Sequence, residues 1–149
     1  MTSIGRAILL GGLVAGVLDA TDGVVAFGLQ GMNPIQVLQY IASGALGSAS
    51  FNGGLATAAL GTLLHFLIAF AVAAIYVVAS RVVPLLRERA IPAGLAFGVA
   101  VYLVMNYVVL PMSSVTPSAF SLPLFLNGVI GHALFFGLPI ALYARRLAR

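Results

Sequence analysis

The fold class predicted by this sequence is an all-α integral membrane protein, with four transmembrane helices in a bundle. Three observations predict it. The 149-residue chain is 62% hydrophobic and 7% charged, a composition foreign to water-soluble domains. Four apolar stretches, residues 7–29, 55–80, 91–110 and 122–144, each reach the roughly 20 helical residues needed to cross a hydrocarbon core about 30 Å thick. The seven basic side chains are all arginine and fall in short clusters on one side of those stretches. The length suits a single four-helix transmembrane domain over residues 1–149.

The first span follows Arg6 and runs through "AILLGGLVAGVL". A basic residue before an apolar run also opens a cleaved signal peptide, but Leu18 and Ala20 make a poor small-x-small cleavage site, so the span is expected to stay. Gly12 and Gly16 have the small-xxx-small spacing of close helix packing, expected here inside the bundle.

The connection after this span, "MNPIQVLQYIASGALG", places Asn33 as a helix cap and Pro34 at the first helical position. Ile35, Leu38, Ile41, Ala42 and Ala45 then share one face, with Gln36, Gln39 and Ser43 toward the other. A short interfacial helix between helices 1 and 2 is expected, as a lid or as a cover for the bundle.

The second span ends at Arg81, and Arg87, Glu88 and Arg89 occupy the turn to the third. Bulky Leu63, Leu64, Phe66, Leu67 and Phe70 are expected to face lipid, away from Ala58, Gly61, Ala69 and Ala73. The second long connection, "PMSSVTPSAFSLP", carries three prolines and reads as ordered turn. Arg145, Arg146 and Arg149 follow the fourth span. By the positive-inside rule both termini and the Arg87–Arg89 turn are cytoplasmic, and the two uncharged connections face outward. Trp is absent, so Tyr76, Tyr143 and Tyr40 are expected to supply the interfacial aromatic belt.

Composition also removes whole classes of chemistry. The absence of Cys excludes disulfides, thiolate metal sites and redox dithiols. The absence of Lys excludes Schiff-base chemistry. Nucleic acid is not an expected partner, because the arginines flank apolar runs instead of covering an exposed face. No nucleophile with a spaced His and acid and no phosphate-binding glycine loop stands out, so no catalytic residue is assigned. Arg87 and Arg89 are expected to meet anionic lipid headgroups.

The spans nevertheless contain "VLDATDG", two carboxylates in a stretch that otherwise suits hydrocarbon, at a cost of a few kcal/mol for each charged group. At about 1.5 Å of rise per residue, Asp19 lies about 20 Å and Asp22 about 24 Å beyond Arg6; His65 lies about 24 Å from Arg81, Asn106 about 24 Å from Ala90 and His132 about 20 Å from Arg145. All five fall in one layer, and small residues at helical spacing turn each of them inward. Asn127 lies a turn or so further out.

Two carboxylates one turn apart need a proton, a cation or hydrogen-bond donors to accompany them. A divalent metal, a proton relay and, less favoured because Asp would sit beside the macrocycle, a b-type haem on His65 and His132 are the guests such a layer suggests. A hydrogen-bonded cluster that only fixes helix register is the alternative. Asn106 fits that structural role better than a ligand role, whereas Asp19 and Asp22 with His65 are the stronger site candidates.

The segments "HFLIAFAVAAIYVVASRVVP", "LPMSSVTPSAFSLP" and "GHALFFGLPIALYARR" resemble a family of small uncharacterised bacterial inner-membrane proteins. Family members have a His matching His65, a "TPxxFxLP" outer loop matching Thr116 to Pro123, and a Gly-His pair matching Gly131 and His132. The likeness covers residues 60–146 and weakens in the first span. It implies four helices in a bacterial inner membrane and no established activity.

Two functions follow. In the first, the polar layer binds or relays a cation, proton or small polar ligand, as in a transporter or channel component. In the second, the protein is an accessory subunit packed against a larger membrane complex, and the layer is structural; assembly as a homo-oligomer would count against this second function.

Overall fold

Residues 2–147 are described by the computed structural model, and every regular element among them is helical. Helix α1 (Ser3–Gly28) begins at Thr2, whose hydroxyl accepts the Gly5 N–H at 3.1 Å. Helix α2 (Pro34–Leu46) opens with a reciprocal cap: Asn33 Oδ1 accepts the Gln36 N–H at 3.0 Å and Gln36 Oε1 accepts the Asn33 N–H at 2.9 Å. A 3₁₀ turn (Gly47–Asn52) leads to α3 (Gly54–Val82), the short α4 (Leu85–Glu88) and α5 (Ala90–Val104), which continues into a π turn at Met105–Val109. After a non-helical connection, α6 (Leu122–Gly131) passes through a second π turn (His132–Gly137) into α7 (Leu138–Leu147).

Four of the helical runs are long and apolar enough to cross a membrane: Ser3–Gly28, Gly54–Val82, Ala90–Met112 and Leu122–Leu147. They coincide with the expected spans and overrun them by a few residues, because a helix continues past the hydrocarbon until a cap or proline stops it. The chain is a multi-pass, all-α membrane protein. Leu63, Leu67, Ile75 and Val78 lie exposed along α3, as a hydrocarbon solvent permits and water does not. Arg149, counted above in the last basic cluster, lies outside the described residues.

The fourth span sits between the first and the third, with α7 packed on both α1 and α5. Close packing concentrates in the arginine-bearing half, where Ala7, Ala15, Ala69, Ala73, Ala141 and Ala144 bury completely around Ile140 and Phe136. Alanine and glycine let backbones approach, and dispersion between well-fitted surfaces replaces the hydrophobic effect that lipid cannot supply. Between α5 and the fourth span the approach is backbone on backbone: a Cβ on Gly98 would collide with the His132 carbonyl, and one on Gly137 with the Gly94 carbonyl.

Three expectations are corrected here. Phe66 and Phe70 do not simply face lipid with Leu63 and Leu67. They fill the grooves left by Gly16 and Gly12, where a Cβ would stand 2.8 Å and 2.6 Å from their rings. Tyr76 is not part of an interfacial belt either. It is 1% exposed, its ring meets Phe97 edge-on at 4.9 Å, and its hydroxyl donates to the Leu86 carbonyl at 2.9 Å, tying α3 to the turn that follows it.

Helix α2 is rotated from its expected setting. Val37, Gln39, Ala42 and Ser43 are its buried residues, while Ile35 and Ala45 are exposed. Gln39 wins the inner face because it finds partners on α3, its Nε2 donating to the Gly54 carbonyl at 3.0 Å, while Ser43 Oγ is satisfied within α2 by the Tyr40 carbonyl at 2.6 Å. The α2 backbone lies directly on α3, with the Leu38 carbonyl over Gly61, and the Gly44 carbonyl accepts the Ser114 N–H at 3.0 Å from the second long connection.

Candidate functional site

Away from the arginine end the bundle opens into a cavity of about 480 Å³. All five residues of the expected polar layer line it: Asp19 and Asp22 from α1, His65 from α3, Asn106 from the third span and His132 from the fourth. Each is partly buried. Counting rise from the arginine flanks therefore locates the layer, and the glycine and alanine faces aim it inward.

The pairing inside the layer is more specific than depth implies. Asp22 Oδ2 accepts a hydrogen bond from Asn127 Nδ2 at 2.9 Å. Room for that carboxylate comes from Gly131, whose Cβ, if present, would collide with the same oxygen. Asp19 Oδ1 lies 3.4 Å from His132 Nδ1, an electrostatic contact whose alignment falls short of a hydrogen bond. His132 Nδ1 is accordingly left without a hydrogen-bond partner among the described residues.

The other two residues turn to backbone. His65 Nε2 lies 2.8 Å from the Gly16 carbonyl, and because a carbonyl can only accept, that nitrogen carries the hydrogen and donates. Asn106 Nδ2 donates to the Tyr102 carbonyl at 3.0 Å, where the π turn shifts the backbone register so that the Leu110 N–H reaches the Met105 carbonyl at 2.8 Å. Asn106 thus supplies a donor at the register shift while lining the cavity.

Several lining residues were not legible as site members. Asn127 is the first: the same rise puts it about 27 Å from Arg145, within a turn of Asp22 in depth, which places it near the layer without pairing the two. Aromatic rings are the second group. Phe120 and Phe125 stand 5.8 Å apart between centroids, Phe125 and Tyr102 5.8 Å, and Tyr102 and His132 5.4 Å. All four line the cavity and form a run of rings from exposed Phe120, in the second long connection, to the Asp19 layer. On the opposite wall Tyr40 of α2 packs against Phe27 at 5.4 Å, and burial pushes its phenol above the ordinary tyrosine value, so it stays a neutral hydroxyl.

Among the described residues, no three side chains of His, Asp and Glu are grouped to hold a metal ion. His65 donates from Nε2 to Gly16, which leaves its Nδ1 as the nitrogen able to accept or to ligate. At the opposite end, Arg87, Glu88, Arg145 and Pro84 line a second, shallower hollow of about 280 Å³, while Arg89 is exposed and stands outside it. Arg145 of α7 thus joins Arg87 there, a pairing that depends on how α7 packs beside α4.

No protein-family model, curated protein or solved structure matches the chain.

Proposed function

We propose that this protein binds a cation, proton or small polar ligand in the cavity between its spans and acts as a small transporter or channel component of a bacterial inner membrane. One observation carries the reading: Asp19 and Asp22 line a single cavity in which no arginine among the described residues takes part, and the chain has no lysine. Inside a membrane, carboxylates without a fixed positive partner are costly, and a guest that brings positive charge offsets that cost. The volume is within the range of small-molecule sites.

The arginine distribution supports an orientation with both termini and the Arg87–Arg89 turn on the cytoplasmic side, so that the cavity opens toward the outer face. The resemblance described above supports the bacterial inner membrane. Arg87 and Arg145 together suit an anionic lipid headgroup in the cytoplasmic leaflet. The accessory-subunit reading draws on His65 and Asn106, both satisfied by backbone carbonyls. It leaves Asp22 Oδ1 and His132 Nδ1 without a role.

The test is electrophysiology on protein reconstituted in liposomes and supported on a solid electrode, with jumps of pH, inorganic cations and small organic solutes. Binding or transport currents that are absent from empty liposomes and lost in Asp22→Asn are expected. A wild-type protein silent to the whole panel, yet retained in a stable larger assembly after mild solubilisation, would return the polar layer to a structural role.

A further inference from the structure

Resting on that reading and deepening it, we propose that the ligand is an organic monocation, a protonated or quaternary amine carrying an apolar group, held with its charge at Asp22 and its apolar part along the rings of Phe120, Phe125 and Tyr102.

The two carboxylates are not equivalent. Asp19 already faces an imidazole at 3.4 Å, a partner able to take up a proton. Asp22 faces only the neutral amide of Asn127, through Oδ2, and among the described residues nothing donates to its Oδ1. A neutral amide orients a carboxylate without cancelling its charge, so Asp22 retains the stronger demand for a cation.

The surroundings decide what kind of cation. A bare metal ion needs several oxygen or nitrogen ligands converging within about 2.0–2.6 Å, and no three His, Asp or Glu side chains among the described residues are grouped to supply them. A cavity of about 480 Å³ is also far larger than a dehydrated ion and remains so with a few waters. Its walls beyond the polar layer are mainly apolar and aromatic. Phe120, Phe125 and Tyr102 follow one another at 5.8 Å between centroids, a spacing comparable to the roughly 6 Å reach of a cation–π contact. Phe120 is 74% exposed and stands in the second long connection, where an entering ligand meets the run first. Aromatic rings and an uncompensated carboxylate lining one cavity favour a cation too apolar to be tightly hydrated.

The test is equilibrium binding of radiolabelled phenyltrimethylammonium to the full chain in nanodiscs, by scintillation proximity. Competitors are tert-butylbenzene, which has the same shape without the charge, and sodium, calcium and zinc salts. Saturable binding is expected, resisted by tert-butylbenzene and weakened about tenfold or more by Asp22→Asn, a loss of one strong charge contact. Phe120→Leu, at a position 74% exposed, is expected to weaken binding about two- to fivefold and keeps the test open should Asp22→Asn misfold. Competition by tert-butylbenzene as strong as by the cold cation overturns the charge assignment. Binding of inorganic cations alone overturns the organic ligand and leaves the proposed function standing. No binding of any probe, with silent liposomes, overturns both.

Discussion

Asp22 is held by two residues of the fourth span in different ways: Asn127 donates to it, and Gly131 leaves space for it. Removing the donor leaves a partly buried carboxylate oxygen unsatisfied. Asn127→Leu is therefore expected to lower stability by about 1–3 kcal/mol, the cost of orphaning a buried polar group, read as a lower midpoint in thermal unfolding of the purified protein in detergent. Wild-type stability in that variant would mean that the Asn127–Asp22 hydrogen bond contributes nothing to holding the fold. Gly131→Ala tests the space instead of the donor. The added methyl forces the carboxylate off Asn127 with an overpacking cost of about 1–3 kcal/mol, and a double-mutant cycle with Asn127→Leu is expected to show the two effects strongly non-additive. The aspartates, histidines and Asn106 were legible in the sequence because depth can be counted from arginine. Their partners were not, because a count in steps of 1.5 Å resolves a layer and leaves side-chain direction within it open.

At the scale of the element, α2 illustrates what sequence does and does not specify. Its start was legible in Asn33, Pro34 and Gln36, whose cap is local and satisfies donors that a helix terminus always leaves open. Its buried face was not, since that depends on acceptors supplied by α3 some fifteen residues later, the Gly54 carbonyl and Thr57 among them. The seat of α2 is Gly61, where the Leu38 carbonyl occupies the volume of the missing Cβ. Gly61→Val is expected to lift α2 from α3, seen as faster hydrogen exchange of the α2 amides with little change at the arginine end. Unchanged protection of α2 would mean that the Gln39 and Ser114 contacts hold it alone. The π turns at Met105–Val109 and His132–Gly137 had no sequence signal, because an inserted residue is tolerated by tertiary packing and not by local propensity.

For the whole molecule, four spans and one basic end were legible because hydrocarbon imposes length and arginine marks a side. Since the chain has no cysteine, orientation is open to direct measurement. Ser118→Cys is expected to react with a membrane-impermeant maleimide added outside intact cells, and Glu88→Cys only after the membrane is opened; the reverse pattern inverts the topology. The opening of the bundle into a cavity was not legible, because it reflects how far the third span stands from the first, a distance no single span encodes.

The glycine crossing of α5 on the fourth span, with Gly98 against the His132 carbonyl and Gly137 against the Gly94 carbonyl, gives that arrangement a mechanical character. No side chain stands between the two helices there, so main chain bears directly on main chain. The π turn that carries Asn106 begins two helical turns further along the third span, so the wall of the cavity is anchored at its closed end by backbone contact.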